Sequence, residues 1–117
     1  MLSNIEKGKK GEELCACYLK REKYNILERN YRCPLGEIDI IALYKGVYIF
    51  VEVKTRTSIE FGLPLEAVNK KKQKKIRDIA LFYLKSKNIN NFNCRFDVLS
   101  VILKGNKYEI NHIKNAF

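Results

Sequence analysis

The sequence lacks the features that mark membrane, secreted and zinc-binding proteins. No stretch approaches the roughly 18 consecutive apolar residues of a membrane span, and the N-terminal residues carry charges where a signal peptide has its apolar run. The four cysteines form no C-x-x-C pair and a single histidine accompanies them, which argues against a zinc site and favours a reducing compartment. We therefore expect a soluble, cytoplasmic protein that does not enter membranes.

Acidic residues are few beside the basic ones. The 117 residues include 23 Lys and Arg but only 13 Asp and Glu, which gives a formal charge of +10. Such a surplus favours a polyanionic partner, because each phosphate neutralised by Lys or Arg releases a counterion. The charge is also clustered, which favours nucleic acid, with DNA as the first expectation. The alternative is that a lysine-rich composition only maintains solubility.

Apolar spacing and turn signals predict a single α+β domain over residues 1–117. Ser3 and Glu6 form a capping box before an amphipathic helix that runs to about Lys23. A loop around 61–64 precedes a second helix over about 65–87. Strands are predicted at 26–31, 37–44, 47–55, 95–103 and 107–113. In this αβββαββ order the middle strands are apolar on both sides, so both faces of the sheet should be covered.

Two adjacent predicted strands carry acids that a hairpin would bring together. If Lys45-Gly46 is the tip of an even-length turn, Asp39 lies opposite Glu52, with Lys54 on the same face. Facing like charges destabilise a sheet, so we expect a divalent cation such as Mg²⁺ to compensate them. Lys54 would then steady the charge that develops on a phosphate. The alternative is an ordinary Asp39–Lys54 pair, and a three-residue turn would separate the carboxylates.

These residues resemble a known nuclease pattern. Asp39 followed by Glu52-Val53-Lys54 resembles the PD-(D/E)xK superfamily. Six ordered blocks are together similar to the YraN family (UPF0102): Gly8-x-x-Gly11-Glu12, Arg29-Asn30-Tyr31-Arg32, Gly36-Glu37-Ile38-Asp39, Phe50 to Arg56, Arg95-Phe96-Asp97-Val98 and Ala116-Phe117. The resemblance implies a restriction-endonuclease-like fold, a central mixed sheet flanked by helices, similar to archaeal Holliday-junction resolvases.

The resemblance also implies site residues and a cofactor. Catalytic positions would be Asp39, Glu52, Lys54, Glu12 and Gln73. The metal, Mg²⁺ or Mn²⁺, would be held by Asp39, Glu52, Glu12 and the backbone carbonyl of Val53. From the residues alone, Glu12 is equally well a solvated helix residue beside Glu13, although it lies on the buried stripe. Gln73 is equally well a surface glutamine.

Two basic clusters are candidates for contact with phosphate. The run 70–77 places six cations on less than three helical turns, and a second group lies near the start of the first helix. We expect nucleic-acid contacts from Lys7, Lys9, Lys10, Arg56, Lys70, Lys71, Lys74 and Lys75. The alternative is an ordinary solvated face.

Three functions are consistent with these features. The first is a metal-dependent endonuclease or structure-specific DNA hydrolase. The second is a non-catalytic nucleic-acid-binding module on the same fold, and the third is a partner-dependent subunit of a DNA-processing or uptake system. A homodimer stays open. Elsewhere Asp97 is either a further acid or, as we expect, a residue that caps or pairs with Arg95, and we expect His112 to be structural.

Overall fold

A computed structural model describes residues 2–57 and 68–117, and its elements follow the predicted αβββαββ order. The elements are α1 (Asn4–Arg21), β1 (Asn25–Cys33), β2 (Gly36–Tyr44), β3 (Val47–Arg56), α2 (Lys70–Ser86), β4 (Asn93–Lys104) and β5 (Lys107–Ile113). The predicted loop at 61–64 and residues 65–67 of the predicted second helix lie outside the described residues. Neither described helix has the length and apolar character needed to cross a membrane.

Both helices begin at capping residues. Ser3 and Glu6 form the predicted capping box of α1. The helix α2 begins at Lys70, later than predicted, because Asn69 has an extended backbone and its side chain accepts a hydrogen bond from the Lys72 N–H at 2.9 Å. A capping side chain satisfies an N–H that the first turn of a helix leaves unpaired.

The five strands form one mixed sheet in the order β1-β2-β3-β4-β5. Neighbouring strands are antiparallel except for the central β3–β4 pair, which is parallel. The helix α1 packs on one face of this sheet and α2 packs on the other. The fold is therefore α+β, with a mixed sheet flanked by helices as predicted.

The hairpin between β2 and β3 has the predicted register over its five pairs, but the predicted Asp39–Glu52 pair lies beyond the last of them. Lys45 and Gly46 form a two-residue turn, and both have positive φ, 49° and 79°, as the common type I′ hairpin turn requires. Pairing then runs from Tyr44↔Val47 to Ile40↔Val51. The even-length turn on which the site prediction depended is therefore confirmed.

Strand β2 stops alternating regularly at Asp39. Ile40 belongs to the core cluster under α1, whereas both Ile38 and Ile41 belong to the cluster under α2. Residues two apart on a regular strand share a face. Because Ile38 and Ile40 lie on opposite faces of the sheet, the regular alternation of β2 is interrupted between them. Its pairing with β3 ends at the same point. Asp39 thus lies where the two strands separate.

Gly11 sets the distance between α1 and the sheet. A β-carbon at this position would overlap the Thr55 hydroxyl oxygen on β3. The missing side chain therefore lets the helix backbone approach β3 closely. As a result Glu12, the next residue, lies beside the strand that carries Glu52 and Lys54.

The C-terminal residues pack against β4 and α2. The Ala116 N–H donates to the Phe96 carbonyl at 2.7 Å, and the Phe117 ring stacks on the Phe96 ring with centroids 5.3 Å apart. The Arg77 guanidinium of α2 lies 5.5 Å from the Phe117 centroid. The terminal Ala116-Phe117 block is thus part of the packing of the fold.

Candidate metal centre and nucleic-acid interface

A cleft of about 370 Å³ opens where β2 and β3 separate. The structure brings Asp39, Glu52 and Lys54 together on its wall, with Lys72 and Lys75 of α2 opposite them. The other lining residues are Gly36, Glu37, Val53, Ile76 and Ile79. The arrangement is therefore a polar opening between an acidic hairpin and a basic helix.

The Asp39 side chain supplies β3 with a hydrogen-bond acceptor that the backbone of β2 does not supply at this point. Its Oδ2 accepts a hydrogen bond from the Val53 N–H at 2.8 Å. Because β2 has separated from β3 at this point, no β2 carbonyl pairs with Val53 in the described register. The side chain satisfies a backbone donor that would otherwise be left open.

Burial and acidic neighbours raise the pKa of Asp39 to about 7. Loss of water around the carboxylate is the largest cause, and the negative charge of Glu52 is the second. The Val53 N–H lowers the pKa, while Glu12 and Glu37 raise it further. The carboxyl group of Asp39 is therefore harder to ionise than that of an ordinary aspartate.

Glu52 is buried, with 6% of its surface exposed, and it pairs with a lysine from the opposite wall. The Lys72 Nζ lies 3.2 Å from the Glu52 Oε2. Sequence reasoning missed Lys72 as a site residue because it stands within a run of surface lysines. The available signal was its position four residues before the buried Ile76, which places it on the inner stripe of α2.

Lys54 and Lys72 share one environment. Burial, and then a hydrogen bond with Lys72 and its positive charge, lower the pKa of Lys54. For Lys72 burial acts in the same direction, but the hydrogen bond with Lys54 and the charge of Glu52 outweigh it and raise the pKa. Lys72 is thus the ammonium that pairs with Glu52, and Lys54 is the lysine that more readily becomes a neutral amine.

A second cavity, of about 420 Å³, adjoins the cleft on the α1 side, and Val53 lines both. Glu12, Lys7 and Arg56 line this second cavity with Asn4, Gly8, Thr55 and Thr57. Burial, and then the charges of Asp39 and Glu12, raise the pKa of the Cys15 thiol to about 12. Both acids therefore act on the same buried thiol of α1.

The carboxylates do not form a ready-made metal cage in the described part of the chain. Among residues 2–57 and 68–117, no three His, Cys, Asp or Glu side chains come close enough together to hold a metal ion. Of the three acids that line the cleft, Glu37 pairs with Arg32 at 3.0 Å, which leaves Asp39 and Glu52 as the candidate pair, and Glu12 lines the adjoining cavity. A pair is still compatible with Mg²⁺, which typically uses one or two carboxylates together with waters and substrate phosphates.

Gln73 is directed toward the start of its own helix. Its side-chain nitrogen donates to the Val68 carbonyl at 2.9 Å, and it is not among the residues that line the cleft in the described chain. The structure thus places Lys72 and Lys75, rather than Gln73, opposite the carboxylates. A catalytic role for Gln73 stays a prediction.

Of the predicted phosphate contacts, Lys75 lines the cleft, and Lys7 and Arg56 line the second cavity. Lys70, Lys71, Lys74 and Lys75 are exposed on α2, and Lys9 and Lys10 are exposed on α1. Acids partly match the α2 run, since Lys74 pairs with Asp78 at 2.9 Å and Lys72 pairs with Glu52. The helix is nevertheless more basic than acidic along its first turns.

Comparison with known proteins gives consistent similarity over nearly the whole chain. The sequence model described as Uncharacterised protein family UPF0102 matches residues 11–101. A UPF0102 protein of Alkaliphilus oremlandii is 53% identical, with 97% of this chain and 99% of that protein covered. One from Caldanaerobacter subterraneus subsp. tengcongensis is 51% identical, with 94% and 93% covered. One from Syntrophus aciditrophicus is 50% identical, with 100% and 92% covered.

Proposed function

This chain belongs to the UPF0102 family, and on that premise we propose that it binds nucleic acid and hydrolyses phosphodiesters with a divalent cation. DNA is the proposed substrate and the reaction type is endonucleolytic. The observation that carries the proposal is the Asp39–Glu52 pair, two carboxylates held in one cleft with Lys54 beside them. The family resemblance to PD-(D/E)xK nucleases supports the same three residues.

The charges of the cleft favour a cation. Glu52 raises the pKa of Asp39, so the two carboxylates repel each other in the metal-free protein. Oxygen ligands of this kind suit Mg²⁺ or Mn²⁺, and Asp39, Glu52 and the carbonyl of Val53 would hold the ion. When bound, the ion would lower the pKa of a coordinated water and offset charge on the phosphate.

The residues of the chain have separate tasks in this proposal. Asp39 and Glu52 orient the ion against the scissile phosphate. Lys54 lies within reach of the same position and stabilises the charge that grows on the phosphate oxygens. The exposed lysines of α2 and the basic start of α1 hold the flanking phosphates, which fixes the position of the strand without reading its sequence.

A cleavage assay tests the enzymatic part. Labelled linear, flapped and four-way-junction DNAs would be incubated with Mg²⁺ or Mn²⁺ and the wild-type, Asp39→Asn and Asp78→Asn proteins. We expect metal-dependent cleavage that Asp39→Asn removes and that Asp78→Asn, an exposed acid paired with Lys74, retains. Cleavage that survives Asp39→Asn would place the activity elsewhere or in a contaminant.

A binding assay tests the nucleic-acid part. Affinity for duplex DNA should fall with salt, with a slope near −0.9 per phosphate contacted. Replacing Lys71, Lys74 and Lys75 by Glu should weaken binding to a similar degree for all sequences. At about 100 mM salt charges are screened beyond about 10 Å. If the triple variant binds as well as the wild type under this condition, the basic run of α2 is only a solvated face.

A non-catalytic nucleic-acid-binding module is the second candidate. The Glu52–Lys72 ion pair favours it, because this pair already compensates one of the two carboxylates without a metal. An inactive protein that binds junction DNA tightly, with affinity unchanged by Mg²⁺, would support this candidate over the first.

A further inference from the structure

Lys72 differs from the lysines around it in α2 because it faces the carboxylates of the hairpin. Its side chain is 39% exposed, compared with 77% for Lys74 two residues later. The Lys72 Nζ lies 3.2 Å from the Glu52 Oε2, and the Glu52 side chain is only 8% exposed. An ion pair with one nearly buried partner is screened less by solvent than a surface pair.

We propose that Lys72 is a built-in counter-cation that holds Glu52 in the metal-free protein and competes with the divalent cation for this carboxylate. The inference rests on the proposed function, since it concerns the ion that this function requires. It makes Lys72 a regulatory and positioning residue, separate from the catalytic task proposed for Lys54.

The competition follows from charge and position. Glu52 offers two oxygens, and the ammonium of Lys72 occupies the space beside one of them. A divalent ion bound by Asp39 and Glu52 would lie within a few ångströms of this ammonium, and two cations so close repel each other strongly where water is scarce. The side chain of Lys72 must therefore leave Glu52, at least in part, as the ion enters.

Lys72 has a second place to go. It lines the cleft with Lys75 and contacts Lys54, so its ammonium can turn toward a phosphate at the mouth of the cleft. A phosphate that attracts Lys72 away from Glu52 makes room for the ion, and by linkage the ion favours the phosphate to the same degree. The lysine therefore couples the binding of nucleic acid to the binding of the cation.

The test measures Mn²⁺ binding to the protein alone, followed by the electron paramagnetic resonance signal of the free ion at pH 8. Removing the competing charge with Lys72→Met should tighten Mn²⁺ binding about tenfold, the effect expected of one charge-assisted hydrogen bond. Lys72→Arg keeps the charge and should bind Mn²⁺ about as weakly as the wild type. Lys85→Met removes the same charge from an exposed position of the same helix and should change affinity less than about twofold.

A second measurement addresses the coupling. A short duplex DNA should tighten Mn²⁺ binding to the wild-type protein more than it does for Lys72→Met, because the variant has no lysine to withdraw. Circular dichroism melting without metal shows that each variant is folded before it is titrated.

The outcomes separate this inference from the proposed function. If Mn²⁺ binds wild type and Lys72→Met equally, the competition by Lys72 is wrong and the metal-dependent function still stands. If Lys85→Met tightens binding as much as Lys72→Met, the effect is one of net charge and the inference is again wrong. If neither protein binds Mn²⁺ at millimolar concentrations, with or without DNA, both the inference and the metal-dependent function fail.

Discussion

The buried Asp97 on β4 and the half-buried Asp39 on β2 have opposite surroundings. Asp97 on β4 accepts four hydrogen bonds, two from the Arg95 guanidinium and one each from His112 and the Asn115 N–H, at 2.7 to 3.0 Å. Burial alone would raise its pKa, but these donors hold the pKa below its usual range. Asp39 on β2 accepts a backbone hydrogen bond and faces other acids, and its pKa is raised to about 7.

The difference teaches how to distinguish a structural carboxylate from a candidate ligand. Around Asp97 the donors continue outward, since Arg95 also donates to the Tyr24 hydroxyl and the Tyr18 hydroxyl bonds the far nitrogen of His112. A polar network completed in this way fixes the packing of β4, β5 and α1. The cleft around Asp39 is acidic on one wall, and a lysine of the opposite helix, Lys72, compensates Glu52 there. We therefore expect changes at Asp97 to affect stability and changes at the cleft to affect binding and chemistry.

The largest expected effect on stability is at Asp97. Asp97→Ala removes the buried carboxylate that accepts from Arg95, His112 and the Asn115 N–H, and breaking a buried pair from one side typically costs about 3 to 5 kcal/mol. Urea unfolding followed by circular dichroism measures the change. Asp78→Ala, which opens an exposed i,i+4 pair with Lys74, is the control and should cost less than about 0.5 kcal/mol. A loss at Asp97 no larger than this control would contradict a structural role for the network.

The next effect concerns chemistry without stability. Under the proposed function, Lys54→Ala should slow single-turnover cleavage of a preferred DNA by about 10² to 10³, because one electrostatic donor to the developing charge is lost. Mn²⁺ should still bind, and the melting temperature should stay close to the wild-type value. Cleavage that is unchanged in Lys54→Ala would remove this residue from the catalytic set and make the cleft resemble a binding site only.

Replacing Asp39 should have a smaller effect of opposite sign, because it should raise the free energy of unfolding of the metal-free protein. The pKa of Asp39 in the folded protein lies above its value in the unfolded chain. Between about pH 4 and pH 7 the folded chain therefore holds a proton that the unfolded chain releases. The free energy of unfolding that this group contributes falls as pH rises through that range. Asp39→Asn avoids that loss. We expect it to stabilise the protein by about 1 to 3 kcal/mol at pH 8, and by nothing measurable near pH 4.

Urea unfolding in the presence of a chelator at the two pH values measures this difference. For Asp97 we expect the reverse dependence of stability on pH. Because its pKa is lowered in the folded protein, its contribution to stability is present above about pH 4 and is lost as pH falls further. An Asp39→Asn protein that is less stable than the wild type at pH 8 would show that the acidic wall is already neutralised.

The smallest effect is at the outer end of the Asp97 network. Asp97 bonds His112 Nε2 at 2.7 Å, and the Tyr18 hydroxyl bonds His112 Nδ1 at 2.9 Å. Tyr18→Phe should cost about 1 kcal/mol, the usual net contribution of one hydrogen bond. Tyr108→Phe, at an exposed position on β5, should cost nothing measurable. Equal losses in a thermal melt would mean that the Tyr18 hydroxyl contributes no stability.

Local patterns predicted most of the fold. The hairpin register followed from two alternating strands and a turn that demands two residues with positive φ, and all of that information lies between 36 and 56. The Arg95–Asp97 pair was likewise predicted because its members stand two residues apart on one strand.

Contacts between distant elements were not accessible in this way. The Tyr18–His112 bond joins α1 to β5, and nothing near either residue indicates the other. Lys72 was missed for a different reason, because a lysine beside an apolar stripe is indistinguishable by type from its solvated neighbours until the carboxylate opposite it is known. The start of α2 was placed too early because apolar spacing continues through Val68, while the side chain of Asn69 begins the helix.

The parallel pairing of β3 with β4 has a consequence for the order of folding. The β2–β3 hairpin joins residues that are close in sequence and closes at little cost in chain entropy, whereas Val47 can pair with Asn93 only after α2 and its connections have been enclosed. The two acids of the cleft therefore meet early, and Lys72 arrives only with the late, non-local step. We expect the two carboxylates of the hairpin to repel each other until α2 docks. Lowering the pH protonates them and reduces this repulsion, so the rate of the late step should increase.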